Sequence, residues 1–320
     1  MRILALVPGG IGDQVLFFPT LATLHKSFPE AELHVIAEPR SVGAYEVCPF
    51  VSDAIPFGFK EQLSLADLTD LLGRVREREY DAVVSLGRSA LLKFFLWLTG
   101  IPKRVGYSSS GDFFLTDALP LKPEQYAANM YHDLTHGFNV TAPVTLPAVQ
   151  LKKTDLAWAE SEREQLFGST TADYVLLHPG ASQLSVTKGI RKIYPIANWV
   201  EVVRGFRDKR GELPVAVVAG PEDDALVAEF RELLPDIAIV QPPNIGALTA
   251  MLAGATLVLC TDSAPMHLAV ATQTPLVALF GPTEPEKLLP ADGPFRSVKA
   301  STGEIDAIAP DAILSTIFPA

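Results

Sequence analysis

Asp262-Ser263-Ala264-Pro265-Met266-His267 lies between two apolar runs, Ala255-Thr256-Leu257-Val258-Leu259-Cys260 before it and Thr274-Pro275-Leu276-Val277-Ala278-Leu279-Phe280 after it. The second run ends in Gly281-Pro282-Thr283-Glu284-Pro285. Continuous apolar runs of this length read as buried strands of a parallel sheet. Between them, an Asp-Ser pair with Pro265 close behind marks the start of a helix. The first turn of a helix leaves backbone N–H groups over and carries positive partial charge. At the carboxyl end of a parallel sheet such a start can seat a diphosphate. The same residues also suit an ordinary capped helix.

Outward from this stretch, apolar runs alternate with amphipathic segments, the pattern of a parallel sheet covered on both faces. In the first half the pattern predicts strands over 3–7, 33–37, 54–57, 82–86 and 104–107. Leu65, Leu68, Leu71, Leu72 and Val75 share one helical face, and a helix over 126–138 closes this half. Residues 141–153 hold Pro143 and Pro147 and little periodicity, so they read as a linker. A helix carrying Leu156, Trp158 and Leu166 follows. The second half then starts afresh, with strands over 174–177, 215–218, 237–241, 256–259 and 276–280. Its helices are expected over 198–206, 224–233, 245–253 and 265–271.

The two halves open alike. Leu4-Ala5-Leu6-Val7-Pro8-Gly9-Gly10 parallels Val175-Leu176-Leu177-His178-Pro179-Gly180-Ala181, a buried strand that breaks at Pro-Gly. The expected fold is therefore α/β: two Rossmann-like domains, residues 1–150 and 151–320, with parallel sheets facing a central cleft and ligands at the strand ends of both.

The 320 residues are 48% hydrophobic and 20% charged, a soluble globular composition. A net charge of −11 argues against nucleic acid as a partner. It leaves room for an anionic substrate, because a local basic cluster acts within a screening length. The two cysteines, Cys48 and Cys260, sit in apolar surroundings in different halves and read as buried reduced thiols. No zinc spacing or Asp-x-Asp motif is present. Arg2-Ile3-Leu4-Ala5-Leu6-Val7 is too short for the apolar core of a signal peptide. Phe94-Phe95-Leu96-Trp97-Leu98 is too short to span a bilayer. A cytoplasmic protein is expected.

Gly9-Gly10-Ile11-Gly12-Asp13 invites a dinucleotide-binding reading, but the fingerprint fails at Val15, where its last glycine belongs. A carboxylate at Asp13 would also repel a pyrophosphate. Two roles remain for Asp13: helix cap, or base that takes a proton from an attacking hydroxyl. In the second half, glycines and Ser182 after His178 let backbone and hydroxyl approach phosphate. Lys192 can neutralise a leaving diphosphate or stand as a solvated loop lysine. Asp223-Asp224 reads as a helix cap.

With these segments in order, the chain resembles the heptosyltransferase family of bacterial lipopolysaccharide synthesis, glycosyltransferase family 9. Four segments carry the resemblance. They are Gly10-Ile11-Gly12-Asp13 with Pro19 downstream, His178-Pro179-Gly180-Ala181, Lys192-x-Tyr194-Pro195 with Trp199, and Asp262-Ser263-x-Pro265-Met266-His267 with Phe280-Gly281-Pro282-Thr283-Glu284-Pro285. Tyr194 stands where the pattern usually has tryptophan, Thr261-Asp262 replaces Asn-Asp, and the stretch 183–191 is long for the family.

The resemblance implies a GT-B fold and an inverting transfer that needs no metal or other cofactor. It points to heptose carried as ADP-heptose, and to a glycan or glycolipid acceptor of lipopolysaccharide type bound by the N-terminal domain. The residues themselves leave sugar, base and acceptor open. By matched position, Asp13 is the general base, with Gly12 in its turn, and Lys192 holds the donor phosphates. Asp262, Ser263, Ala264, Pro265, Met266 and His267 form the donor-binding helix start. From position alone, His178 can touch phosphate or only hold its loop, and Ser182 can reach phosphate. Glu284 and Glu286 follow the last strand, where either can bind a ribose or sugar hydroxyl or lie exposed at the surface, with Thr283 beside them as a further substrate-binding candidate.

The acceptor side has fewer signals. Arg88, Lys93, Lys103 and Arg104 can steer a phosphorylated glycolipid or be solvated charges on separate elements. Leu91, Leu92, Phe94, Phe95, Trp97 and Leu98 surround Lys93 with apolar side chains. They read first as core, and second as a peripheral contact with the inner membrane face. Two other functions fit the same architecture: a nucleotide-sugar epimerase, in which Asp13 is only a cap, and a non-catalytic nucleotide-sugar-binding protein.

Overall fold

Continuous burial along the apolar runs gives two parallel sheets. The computed structural model describes residues 1–59, 64–180, 192–211, 213–220 and 223–319. They fall into two units, Met1–Gln150 and Leu151–Ala320.

The first unit runs β1 (Arg2–Val7), α1 (Ile11–Ser27), β2 (Glu32–Ala37), β3 (Asp53–Pro56), α2 (Leu65–Glu77), β4 (Ala82–Ser85), α3 (Ala90–Leu98), β5 (Lys103–Tyr107), β6 (Asp117–Leu119) and α4 (Ala127–His132). Its strands are ordered β3-β2-β1-β4-β5-β6, and all five pairings are parallel. β1 is covered on both faces: Ile3, Leu4, Ala5, Leu6 and Val7 are each at most 1% exposed. Strand order reverses between β1 and β4, so the loops leaving these two strands diverge and open a crevice at their carboxyl ends.

The second unit runs α5 (Lys153–Phe167), β7 (Val175–His178), α6 (Ile196–Lys209), β8 (Val215–Val218), α7 (Asp224–Leu233), β9 (Ala238–Val240), α8 (Ile245–Gly254), β10 (Leu257–Thr261), α9 (Ala264–Ala271), β11 (Leu276–Phe280), α10 (Pro285–Leu288), β12 (Phe295–Lys299) and α11 (Pro310–Ile317). Its order, β12-β11-β10-β7-β8-β9, repeats that of the first unit strand for strand, and its pairings are again parallel. The reversal now falls between β7 and β10, which places the loop after His178 beside the Asp262 turn.

Several described elements escape the sequence pattern. β6 is only three residues long, and β12 is a half-exposed edge strand whose Phe295-Arg296-Ser297-Val298-Lys299 carries little apolar signal. A 3-10 segment covers Pro39–Val47, and α11 ends the chain. The helix around Lys93 also differs from the expected core. Lys93, Phe95 and Leu96 are buried, but Leu91 is 69% and Trp97 49% exposed. Both cysteines are buried free thiols, and burial pushes Cys48 up to about 12. Among the described residues, no helix is long and apolar enough to cross a membrane.

Candidate active site

In the first unit the chain leaves β1 through Pro8-Gly9-Gly10 and enters α1. Asp13 sits in the first turn of that helix, and among the described residues each of its oxygens accepts from one donor. The Gly10 N–H donates to Oδ2 at 2.8 Å, and the Tyr131 hydroxyl donates to Oδ1 at 3.0 Å. Every carboxylate oxygen has a second lone pair, so one acceptor position per oxygen remains. Gly9 permits this packing, because a Cβ there would lie 2.3 Å from Asp13 Oδ2. The turn is held from behind. Gln14 Nε2 donates to the carbonyls of Val7, Gly9 and Gly10. The Tyr45 hydroxyl donates to Gln14 Oε1, and the Ser41 hydroxyl to the Gly9 carbonyl. Burial, reinforced by the Asp13 charge, raises the Tyr131 phenol well above its ordinary range, so it stays a proton donor. Gly12 lies half-buried in the same turn.

In the second unit Lys192 Nζ donates to Asp262 Oδ2 at 2.5 Å, with side-chain exposures of 17% and 5%. The Thr283 hydroxyl donates to the same oxygen at 2.7 Å. Lys192 is anchored two residues downstream. Tyr194 is buried, its hydroxyl donates to the Ile308 carbonyl at 2.7 Å, and its ring meets Trp199 edge-on at 5.1 Å. Lys299, on the strand that the sequence pattern missed, reaches the carbonyls of Gly281 and Thr283, each at 2.8 Å. It pairs with Glu284 Oε1 at 3.1 Å, which shapes the loop carrying Thr283.

The helix start itself corrects one expectation. Ser263 occupies the N-cap position of α9, but neither it nor Asp262 caps the helix. The Ser263 hydroxyl instead lies 3.2 Å from His178 Nδ1 and donates to the Thr261 carbonyl at 3.1 Å. Asp262 is committed to Lys192 and Thr283. Ala264 faces partly outward, Pro265, Met266 and His267 are buried, and Pro265 has no N–H. Among the described residues, no side chain caps the first turn. Burial lowers His178 to about 4, so it is a neutral imidazole near pH 7 and offers phosphate no charge. A second correction concerns Asp223. It also caps no helix; its carboxylate accepts the Gly220 N–H at 2.7 Å, bracing the turn before α7.

Ser182 and the stretch 183–191 lie outside the described residues. The basic cluster expected in the first unit is largely consumed internally. Lys93 Nζ donates to Asp112 and Ser109, Lys103 pairs with Asp117, and Arg104 donates to the carbonyls of Phe114 and Ile101. Arg88 is exposed and makes no ion pair with any described residue. Sequence reading missed Tyr131, Gln14, Tyr45 and Lys299. Each reaches its partner over a long sequence separation except Gln14, which sits beside Asp13 and reads as an ordinary helix residue.

The glycosyltransferase family 9 (heptosyltransferase) model matches residues 68–302, most of the chain. The chain belongs to glycosyltransferase family 9. It is a glycosyltransferase, which sets aside the epimerase and the non-catalytic reading. The chain is 25% identical to lipopolysaccharide heptosyltransferase 2 of Escherichia coli strain K12, over 95% of its own length and 89% of that protein's. In fold it resembles a family 9 glycosyltransferase from Veillonella parvula (TM-score 0.83, 18% identity, 98% and 95% of the two chains). It likewise resembles E. coli ADP-heptose lipopolysaccharide heptosyltransferase II (TM-score 0.80, 22% identity, 99% and 97%). The two doubly wound units of this transferase are those of the GT-B fold.

Proposed function

We propose that this transferase moves heptose from ADP-heptose, with inversion, onto a glycolipid acceptor of lipopolysaccharide type. The donor binds the second unit and the acceptor the first. The observation that carries the reading is Lys192, fixed at 2.5 Å from Asp262 beside the uncapped start of α9 at the strand-order reversal. An ammonium and the positive end of the α9 dipole together suit a diphosphate.

In the proposed step an acceptor hydroxyl oxygen attacks the anomeric carbon on the face opposite the diphosphate. Its proton passes to Asp13 as the new C–O bond forms. The bond from the anomeric carbon to the diphosphate oxygen breaks with its electron pair, and ADP leaves. Charge on the anomeric carbon grows as in other glycosyl transfers. Lys192 and the α9 start neutralise the leaving group in place of a metal. Gly10 and Tyr131 hold Asp13 so that a lone pair faces the incoming hydroxyl. Asp262 and Thr283 hold the ammonium until the diphosphate shares it.

The membrane contact belongs to the same proposal. The exposed Leu91, Phe94 and Trp97 of α3, with Phe113 at 80% exposure, suit peripheral adsorption of a cytoplasmic enzyme to the inner membrane face.

Thermal denaturation with ADP-, GDP-, UDP- and dTDP-sugars tests the donor. A ligand that binds only the folded state raises Tm. A selective rise with ADP-heptose is expected; a selective rise with another nucleotide sugar would overturn the donor assignment.

A further inference from the structure

We propose that Lys299 is a positioning residue of the donor site, clamping the loop after β11 so that Thr283 turns Asp262 towards Lys192. Phe280 and Lys299 form the last pair of the parallel β11–β12 ladder. β12 is the edge strand of its sheet, so Lys299 stands beside the loop that leaves β11. An ammonium has three N–H groups and no acceptor. Among the described residues, all three meet acceptors on this one loop. Nζ donates to the carbonyls of Gly281 and Thr283, each at 2.8 Å, and to Glu284 Oε1 at 3.1 Å. The two carbonyls lie on either side of Pro282, so one cation fixes the turn at both ends.

The other main-chain contacts of the loop do not replace this clamp. The Ala300 N–H donates to the Phe280 carbonyl and the Lys287 N–H to the Glu284 carbonyl, and neither touches Gly281 or Thr283. The ion pair with Glu284 does not explain the arrangement either. Its side chains are 30% and 54% exposed, and a pair so open to water contributes little. The two carbonyl bonds are what fix the main chain of Thr283.

From Thr283 the effect passes inward. The Thr283 hydroxyl donates to Asp262 Oδ2 at 2.7 Å, and Lys192 Nζ donates to the same oxygen at 2.5 Å. One oxygen serves both donors only when the carboxylate plane suits both directions. Thr283 sets that plane for the buried Asp262, and Lys299 sets Thr283. Lys299 therefore acts on the donor through Lys192 rather than by touching it. That last link rests on Lys192 holding the donor diphosphate; the clamp itself does not.

The test combines isothermal titration of the full chain with ADP and AMP and measurement of denaturant midpoints. Lys299→Met keeps the side-chain length and removes the donors. It should weaken ADP binding by about tenfold and AMP binding by less, so that the preference for the diphosphate narrows. Lys299→Arg keeps a cation with several donors and should bind ADP within about threefold of wild type. In a Lys192→Ala background, Lys299→Met should cost no further ADP affinity, because its path ends at that ammonium. Lys299→Met and Thr283→Val together should shift the midpoint by less than the sum of their separate shifts.

Additive midpoint shifts in that pair would overturn the clamp. Equal losses of ADP and AMP affinity in Lys299→Met would overturn the path to Lys192, as would a further loss in the Lys192→Ala background. So would unchanged ADP affinity in Lys299→Met where Lys192→Ala weakens it. ADP that fails to bind wild type, or that binds Lys192→Ala as it binds wild type, sinks the donor reading instead. The midpoint cycle then decides the clamp by itself, so the two failures are told apart.

Discussion

The helix after the fourth strand starts with Ser-Ala in both units, and the two starts are finished differently. At α3 the Ser89 hydroxyl accepts the Leu92 N–H at 3.2 Å, the usual cap. At α9 the Ser263 hydroxyl turns away to His178 and Thr261, and the first turn has no side-chain cap. The surroundings differ in the same sense. α9 begins beside an ammonium held by Asp262, whereas α3 begins at the mouth of an apolar groove. One topology thus yields a helix start without a side-chain cap beside an ammonium in the second unit and a capped start in the first. The deciding event is where one hydroxyl finds its partner.

The comparison can be broken at several points. The largest expected effect is on the first unit's own chemistry: Asp13→Asn should cut turnover about 10²–10⁴-fold, the scale of general-base catalysis. It should leave the Tm rise with the donor unchanged, and strong residual turnover would remove Asp13 as base. Next, Lys192→Ala should lower turnover about 10²–10³-fold, as loss of one preorganised charge does elsewhere. It should also shrink the Tm rise with the donor; unchanged donor affinity counts against its role.

A reciprocal pair sharpens the contrast further. Ser263→Asp places a carboxylate where the diphosphate is proposed to sit and should weaken ADP binding by about tenfold or more. Ser89→Asp makes the same change at the capped start and should leave ADP affinity unaltered. Equal effects at the two serines would mean that the α9 start is not an anion seat.

His178 supplies a pH test of the network that draws Ser263 away. Burial lowers its folded pKa from 6.5 to about 4, so the unfolded chain takes up the proton first. Its contribution is full above pH 6.5 and is lost as pH falls from 6.5 to 4, by up to about 1.4 kcal/mol per pH unit. Other groups titrate in this window, so the measurement is the difference in denaturant midpoint between wild type and His178→Gln. That difference should narrow on acidification; a constant offset would contradict a buried neutral imidazole. The smallest effect belongs to the cap: Ser89→Ala should cost about 1 kcal/mol by the same measurement, with donor binding intact.

Much of the architecture was legible in the chain, because period and burial are local signals. Runs such as Leu4-Ala5-Leu6-Val7 and Val215-Ala216-Val217-Val218 are apolar on both faces, and only a covered parallel strand explains that. β12 was not legible, because an edge strand alternates weakly and half of it meets water. Lys299 was missed with it. Among the site residues, Asp13, Lys192 and Asp262 stood out by type and motif. Tyr131 did not, because it lies 118 residues from Asp13 and no spacing rule joins them. The roles of Ser263 and Asp223 were misread for a related reason. Cap propensity describes a residue with its own helix, while here a distant imidazole and a neighbouring turn compete for the same side chains.

By itself, the sequence determined the α/β class, the division into two halves that open alike, and the residue types able to take a proton or hold a diphosphate. These follow from hydrophobic period and from side-chain chemistry, which every residue carries wherever it folds. Only the tertiary structure decided which donors hold Asp13, that Asp262 is spent on Lys192 and Thr283 rather than on a cap, and that half of the α3 surface is left uncovered. Those outcomes depend on which groups meet across the strand-order reversal of each sheet. Hydrogen bonding and burial are settled there between residues far apart in the chain.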